Sequence, residues 1–174
     1  MPAPRLVEQL NAQIGNELAA SHQYLACAVH YDALTMPRMA AFFHGQAMEE
    51  HQHAMMIVQY LLDTDAEVRI PAVPKPTPAL ADVVAPVSVA LAQEREVTDQ
   101  INALVTTARE EADYASEQFL QWFVKEQVEE VATMSDLLAV VSRSREDVED
   151  IEEYVARESG ATETDPTAPR IAGA

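Results

Sequence analysis

The stretch MEEHQH, residues 48–53, sets two glutamates and two histidines between Phe42-Phe43 and Met55-Met56-Ile57. Glu50 and His53 stand three positions apart, so on a helix they share a face. The same face carries Met39, Phe43, Gln46, Ile57 and Leu61, which turns the pair toward a core, while Glu49, Gln52, His44 and His51 lie to the sides. A glutamate carried into a core is strongly disfavoured unless it gains a partner or a proton. Taken alone, the pair also fits a structural hydrogen bond between the two side chains.

Three other segments change that balance. Glu17 interrupts the apolar row Leu6, Leu10, Ile14, and Tyr24 follows it on the same stripe. Glu94 sits between Leu91 and Val97. Gln127 and Glu130 repeat the three-residue spacing within the row Phe119, Phe123, Met134, Leu137, Val141. The result is a two-fold repeat by chemistry: Glu then Glu-x-x-His, followed by Glu then Gln-x-x-Glu. Buried carboxylates brought face to face would repel one another, and two divalent cations would neutralise them. Oxygen ligands with one imidazole suit iron or manganese better than a metal that prefers thiolate. Paired metal sites of this make-up are built in the cores of helical bundles.

Such a site needs four long helices to hold it. Helical periodicity predicts runs over 4–33, 37–62, 86–111 and 114–142, with Pro37 in a first turn and Asp113 as an N-cap. Between the second and third runs, RIPAVPKPTPALADVVAP places prolines at 71, 74, 76, 78 and 86, which excludes helix. Extended at ~3.3 Å per residue, the segment from Asp63 to Asp82 can run the length of a helix, so it reads as a crossover that leaves helices two and three parallel. Ser144-Arg145-Glu146-Asp147 reads as a capping box. It would open a short fifth helix, DVEDIEEYVARE, stopped by Gly160. The expected fold is all-α: a four-helix bundle with one long crossover and a short fifth helix over 1–160, then a flexible tail over 161–174 that lacks periodicity.

Composition narrows the class. The 174 residues suit one domain, and 48% hydrophobic content with only 4 glycines favours helices. A net charge of −18, from 29 acidic residues against 11 Lys and Arg, argues against a nucleic acid partner. No basic stretch followed by an apolar one opens the chain, and no apolar run nears the ~18 residues of a membrane span. The single Cys27 excludes an internal disulfide or a CxxC site and fits a reducing cytoplasm. Met48, Met55 and Met56 read as packing residues.

Glu17 with Tyr24, the stretch MEEHQH, Glu94 within AQEREVT, and FLQWFVKEQVEE at 119–130 together resemble a bacterial non-haem ferritin, in order over about residues 5–158. The resemblance implies a ferritin-like bundle that oxidises Fe(II) with O2 or H2O2 and stores Fe(III) as a mineral inside a closed shell of twenty-four copies. It implies a first iron on Glu17, Glu50 and His53, and a second on Glu50 as a bridge, Glu94 and Glu130. Gln127 would orient groups beside the second iron, and Tyr24 would supply a hydrogen bond or an electron. A third iron site would map onto Glu49, Glu126, Glu129 and Glu130. The chain departs from the bacterioferritins in two ways. Their second Glu-x-x-His is Gln127 and Glu130 here, and Gln52 occupies the region of their haem-binding methionine, so no haem is expected. A rubrerythrin-like peroxidase is the alternative enzyme, but one cysteine cannot build its electron-transfer module. A non-catalytic acidic assembly protein is the other alternative.

Overall fold

The computed structural model describes residues 2–77, 80–158 and 165–173, and these form helices with no strand. The order is α1 (Pro4–Ala33), α2 (Pro37–Asp63), α3 (Ala85–Glu110), α4 (Tyr114–Arg143) and α5 (Val148–Glu158). The four long helices lie within a residue of their expected bounds. α1 pairs with α2 and α3 with α4 through short turns, and α1 also packs on α3.

The first three helices end alike. Met36 N–H donates to Tyr31 O and Thr35 N–H to Asp32 O; Ala66 and Asp65 repeat the pair on Leu61 and Leu62, and Asp113 and Ala112 on Ala108 and Arg109. These are Schellman motifs, whose turning residue needs a left-handed backbone. In a chain so poor in glycine that position falls to Thr35 (φ 60°), Asp65 (φ 55°) and Ala112 (φ 51°). Asp113 then caps α4 by accepting from Ser116 N–H at 3.1 Å.

The crossover, described over 64–77 and 80–84, is laid along α1 by side chains of that helix. Asn11 donates to Glu67 O (2.9 Å) and accepts from Arg69 N–H (2.5 Å). Further along, Gln23 Oε1 accepts from Thr77 N–H (2.7 Å) and the Tyr31 hydroxyl donates to Val83 O (2.7 Å). Both partners rise in number together, so the crossover runs in the direction of α1 and delivers α3 parallel to α2. Gly15 lets it come close: a Cβ there would stand 2.5 Å from Pro71 Cγ.

The apolar core is divided in two. One cluster gathers Tyr31, Met39, Phe43, Leu91, Met134 and Leu137, and α5 closes it with Ile151 and Val155. The other gathers Leu6, Leu10, Ile57, Leu61, Ile101 and Phe123. Between them lies a belt of buried polar side chains. Met48 differs from its expected packing role and is 61% exposed.

Two expectations for the C-terminal region change. The cap of α5 is Asp147, whose Oδ1 accepts from Asp150 N–H (3.2 Å), while Ser144 ends α4 and bonds Asp150 Oδ2 (2.5 Å). A capping serine must stand directly before the helix, and Ser144 stands three residues too early. The expected flexible tail is seated over 165–173, where Ala168, Ile171 and Ala172 pack on the second core cluster and Ala172 N–H donates to Met55 O (3.2 Å). Contacts of short apolar side chains leave no periodic trace in a sequence. The expected stop at Gly160 lies outside the described residues.

Candidate metal centre

Each long helix turns one apolar stripe inward, and a polar residue placed on that stripe is carried into the core with it. Glu17, Glu50, His53, Glu94, Gln127 and Glu130 are all buried, as their spacing predicts. Glu17, Glu50 and His53 each bring a ligand atom within 4.8 Å of the others. Glu17 Oε1 accepts from Gln13 Nε2 (2.8 Å), and His53 Nδ1 lies 3.3 Å from Glu50 Oε2. Their remaining atoms, Glu17 Oε2, Glu50 Oε1 and His53 Nε2, are buried without a hydrogen-bond partner. Unpaired buried polar atoms are rare and costly, and three on one cluster match the donor set of a divalent cation.

Across the bundle, Glu94 is held from two sides. The Tyr24 hydroxyl donates to its Oε1, and Gln127 Nε2 lies 3.4 Å from its Oε2. The Thr98 hydroxyl, whose single proton is shared between Glu94 O (2.7 Å) and Gln127 Oε1 (2.9 Å), ties that amide to α3. Glu130 completes the belt from α4.

Electrostatics mark the belt as a place for cations. Burial holds the carboxyls of Glu17 and Glu50 well above the ordinary range, with the charge of Glu50 adding to the first and that of Glu94 to the second. Burial does the same to Glu130, reinforced by Glu50 and Glu94, and raises Glu94. Burial, then the charges of Glu94, Glu50 and Glu130, also keep Tyr24 a neutral phenol. Each of these groups resists carrying a negative charge until a positive one arrives.

The third expected set is divided by the structure. Glu49 and Glu126 come within ligand reach of His53. Glu129 instead faces solvent beside Lys125, with Nζ at 3.9 Å. His53 therefore borders both clusters. Glu49 is held by Gln46 Nε2 (2.8 Å), and burial raises the Glu126 carboxyl.

Sequence reasoning missed three participants. Gln13 orients Glu17, and its amide is tied to Asn16 (2.9 Å) and Gln100 (3.2 Å). Its position four residues before Glu17 was an available signal. Thr98 is missed because its role depends on α4. Trp122, whose ring lies 5.5 Å from that of His53 between centroids, could not be told from an ordinary packing residue.

The chain matches the model of the Ferritin-like domain family over residues 7–144. It is 49% identical to the ferritin BfrB of Mycolicibacterium smegmatis over 164 residues, covering 92% of this chain and 89% of that protein. The bacterial non-heme ferritin of Staphylococcus aureus is 35% identical over 147 residues, covering 84% of this chain and 89% of that protein. Among solved structures, an open pore ferritin from Archaeoglobus fulgidus superposes with a TM-score of 0.84 at 30% identity, covering 89% of this chain and 96% of that one. A likeness of this extent in sequence, carried through to the backbone, means that the chain belongs to the ferritin family, on its bacterial branch.

Proposed function

We propose that the protein is the subunit of an iron-storage shell and that it oxidises Fe(II) to Fe(III) at the buried centre before the ferric ion joins a mineral inside. The observation that carries this reading is the convergence of Glu17, Glu50 and His53, each with a buried and unpartnered atom. Family membership supports iron as the metal.

Iron is the substrate. Glu17, Glu50 and His53 would hold one Fe(II), and Glu50, Glu94 and Glu130 a second, with Glu50 serving both. Burial favours the protonated form of these carboxyls, so metal binding is expected to be coupled to proton release. Gln127 and Tyr24 hold Glu94 from either side, and the Tyr24 phenol stands ready as a donor of a hydrogen bond or an electron. The iron pair supplies electrons two at a time to O2 or H2O2, and the protein's part is to set ligand geometry and leave room for the oxidant. Glu49 and Glu126, with Glu130 nearby, would form a third site that passes ferric ion onward. Haem has no part in this reading, with Gln52 in the region where bacterioferritins carry methionine.

A mineral needs a container, so this reading includes a closed shell of twenty-four copies, in the cytoplasm. Leu25 and Val29, four residues apart on α1, are 45% and 59% exposed. Adjacent apolar side chains of this kind suit burial against a neighbouring subunit. No helix among the described residues is long and apolar enough to cross a membrane.

The test is to add Fe(II) aerobically to purified protein, follow ferric absorbance, and sediment the product. A particle of several hundred kilodaltons carrying iron is expected. A stable monomer or dimer, or oxidation no faster than in buffer, would reject the proposal.

A further inference from the structure

A histidine that ligates a metal usually has its other ring nitrogen fixed by a carboxylate, a carbonyl or water. At His53 the one such partner is the carboxylate of Glu50. Its Nε2 is buried and unpaired, and its Nδ1 meets only Glu50, which is itself a candidate ligand. Aromatic rings border the imidazole as well. Trp122 stands edge-on to it at 5.5 Å between centroids and 74° between planes, and Phe123 at 5.9 Å and 74°. Phe123 is locked in the core at 2% exposure. Trp122 is only half-buried, so core packing leaves its pose less constrained.

What fixes Trp122 comes from far along the chain. Its Nε1 donates to Asp165 Oδ2 at 3.1 Å, and the same oxygen accepts from Lys125 Nζ at 3.0 Å. The other oxygen of Asp165 accepts from Thr167 N–H (2.8 Å) and the Thr167 hydroxyl (2.6 Å). The segment is anchored a second time by Arg170 on Asp63 (2.5 Å), and Ile171, Ala172 and Trp122 all pack against the same core cluster. Asp165 lies beyond residues 7–144, the span matched by the family model.

We infer that Asp165 and Trp122 are positioning residues for His53: the carboxylate of the C-terminal segment holds the indole, and the indole holds the imidazole in the pose its ligand role requires. This rests on the reading of His53 as a ligand. The C-terminal segment thereby becomes part of the wall of the metal centre. Residues outside the four-helix bundle set how firmly the first metal is held.

Trp122 is the only tryptophan. Its fluorescence therefore reports this contact alone, and Co(II), added without oxygen, reports ligand geometry through its visible bands. In the assembled protein, Asp165→Ala is expected to move Trp122 emission to longer wavelength. It should also weaken Co(II) binding by about tenfold, the lower end of what an outer partner contributes to a metal site, and alter the bands. Asp165→Asn keeps an oxygen that can accept from the indole and should restore most of both signals. Trp122→Phe, read by Co(II) alone, should perturb the bands in the same direction. Unchanged emission in Asp165→Ala would overturn the first link. Changed emission with wild-type Co(II) affinity and bands, or wild-type bands in Trp122→Phe, would overturn the second. Wild-type protein that binds no Co(II) would reject the metal-centre reading and this inference together.

Discussion

Glu50 and His53 stand one turn apart on α2, joined at 3.3 Å through one atom of each, while Glu50 Oε1 and His53 Nε2 remain buried and unpaired. The pair satisfies half of its own needs and leaves the other half to something positive. Replacing either residue should slow rapid Fe(II) oxidation by at least tenfold, a barrier increase of about 1.4 kcal/mol. The fold should survive Glu50→Ala, because removing one buried carboxylate relieves the repulsion felt by Glu17 and Glu130. Stopped-flow absorbance checks the first statement and circular dichroism the second. Wild-type oxidation in Glu50→Ala would place the chemistry elsewhere.

The second acidic cluster gives a sharper test than a blanket substitution. Glu49 and Glu126 reach His53, whereas Glu129 is solvent-facing beside Lys125. The double change Glu49→Ala, Glu126→Ala should leave oxidation of the first iron pairs fast and alter the rate of later additions. Glu129→Ala alone should behave as wild type. Repeated Fe(II) additions to one sample measure both, and a double variant that matches wild type throughout removes any kinetic role for the cluster.

Ala112 and Thr35 adopt left-handed backbone at the ends of α3 and α1, and both are exposed. A side chain in that conformation costs roughly 1–2 kcal/mol, which glycine avoids. Because glycine also loosens the unfolded chain, the net gain from Ala112→Gly should be about 1 kcal/mol or less. Denaturant unfolding should show a higher midpoint at unchanged slope. Gly15→Ala should do the opposite, since the new methyl group meets Pro71. A gain in stability of about 1 kcal/mol, what helix propensity alone supplies for Gly→Ala, would mean that the crossover is not pressed against α1 there.

Cys27 is fully buried, and burial pushes its thiol up to about 11, against a weaker opposing effect of the Gln23 amide. Only the thiolate reacts with alkylating reagents. The fraction ionised rises tenfold per pH unit below that value, so native Cys27 should be inert at pH 7 and barely modified at pH 9. Denatured protein should react at once. Mass spectrometry after a timed pulse of iodoacetamide reads the difference, and prompt labelling of the native protein would contradict the burial.

Helix spans and inward faces were legible in the sequence because both are local. A row such as Leu6, Leu10, Ile14, Glu17 states its own period, and the belt follows once each row is turned inward. The proline-rich stretch announced a non-helical crossover in the same way. Local signals did not say where that crossover lies. Its seat on α1 depends on Asn11, Gln23 and Tyr31, which meet residues more than fifty positions away. Nor could spacing on α2 and α4 separate Glu126 from Glu129, since both lie off the buried stripe and only the approach of the two helices sends one to His53 and the other to solvent. Most hidden of all was residues 165–173. Asp165 is an ordinary aspartate until the folded bundle presents Trp122 and Lys125 to it. Period and residue type determined the helices and the chemistry they carry; the docking of one segment on another, which no local pattern encodes, decided which carboxylates meet and what holds them in place.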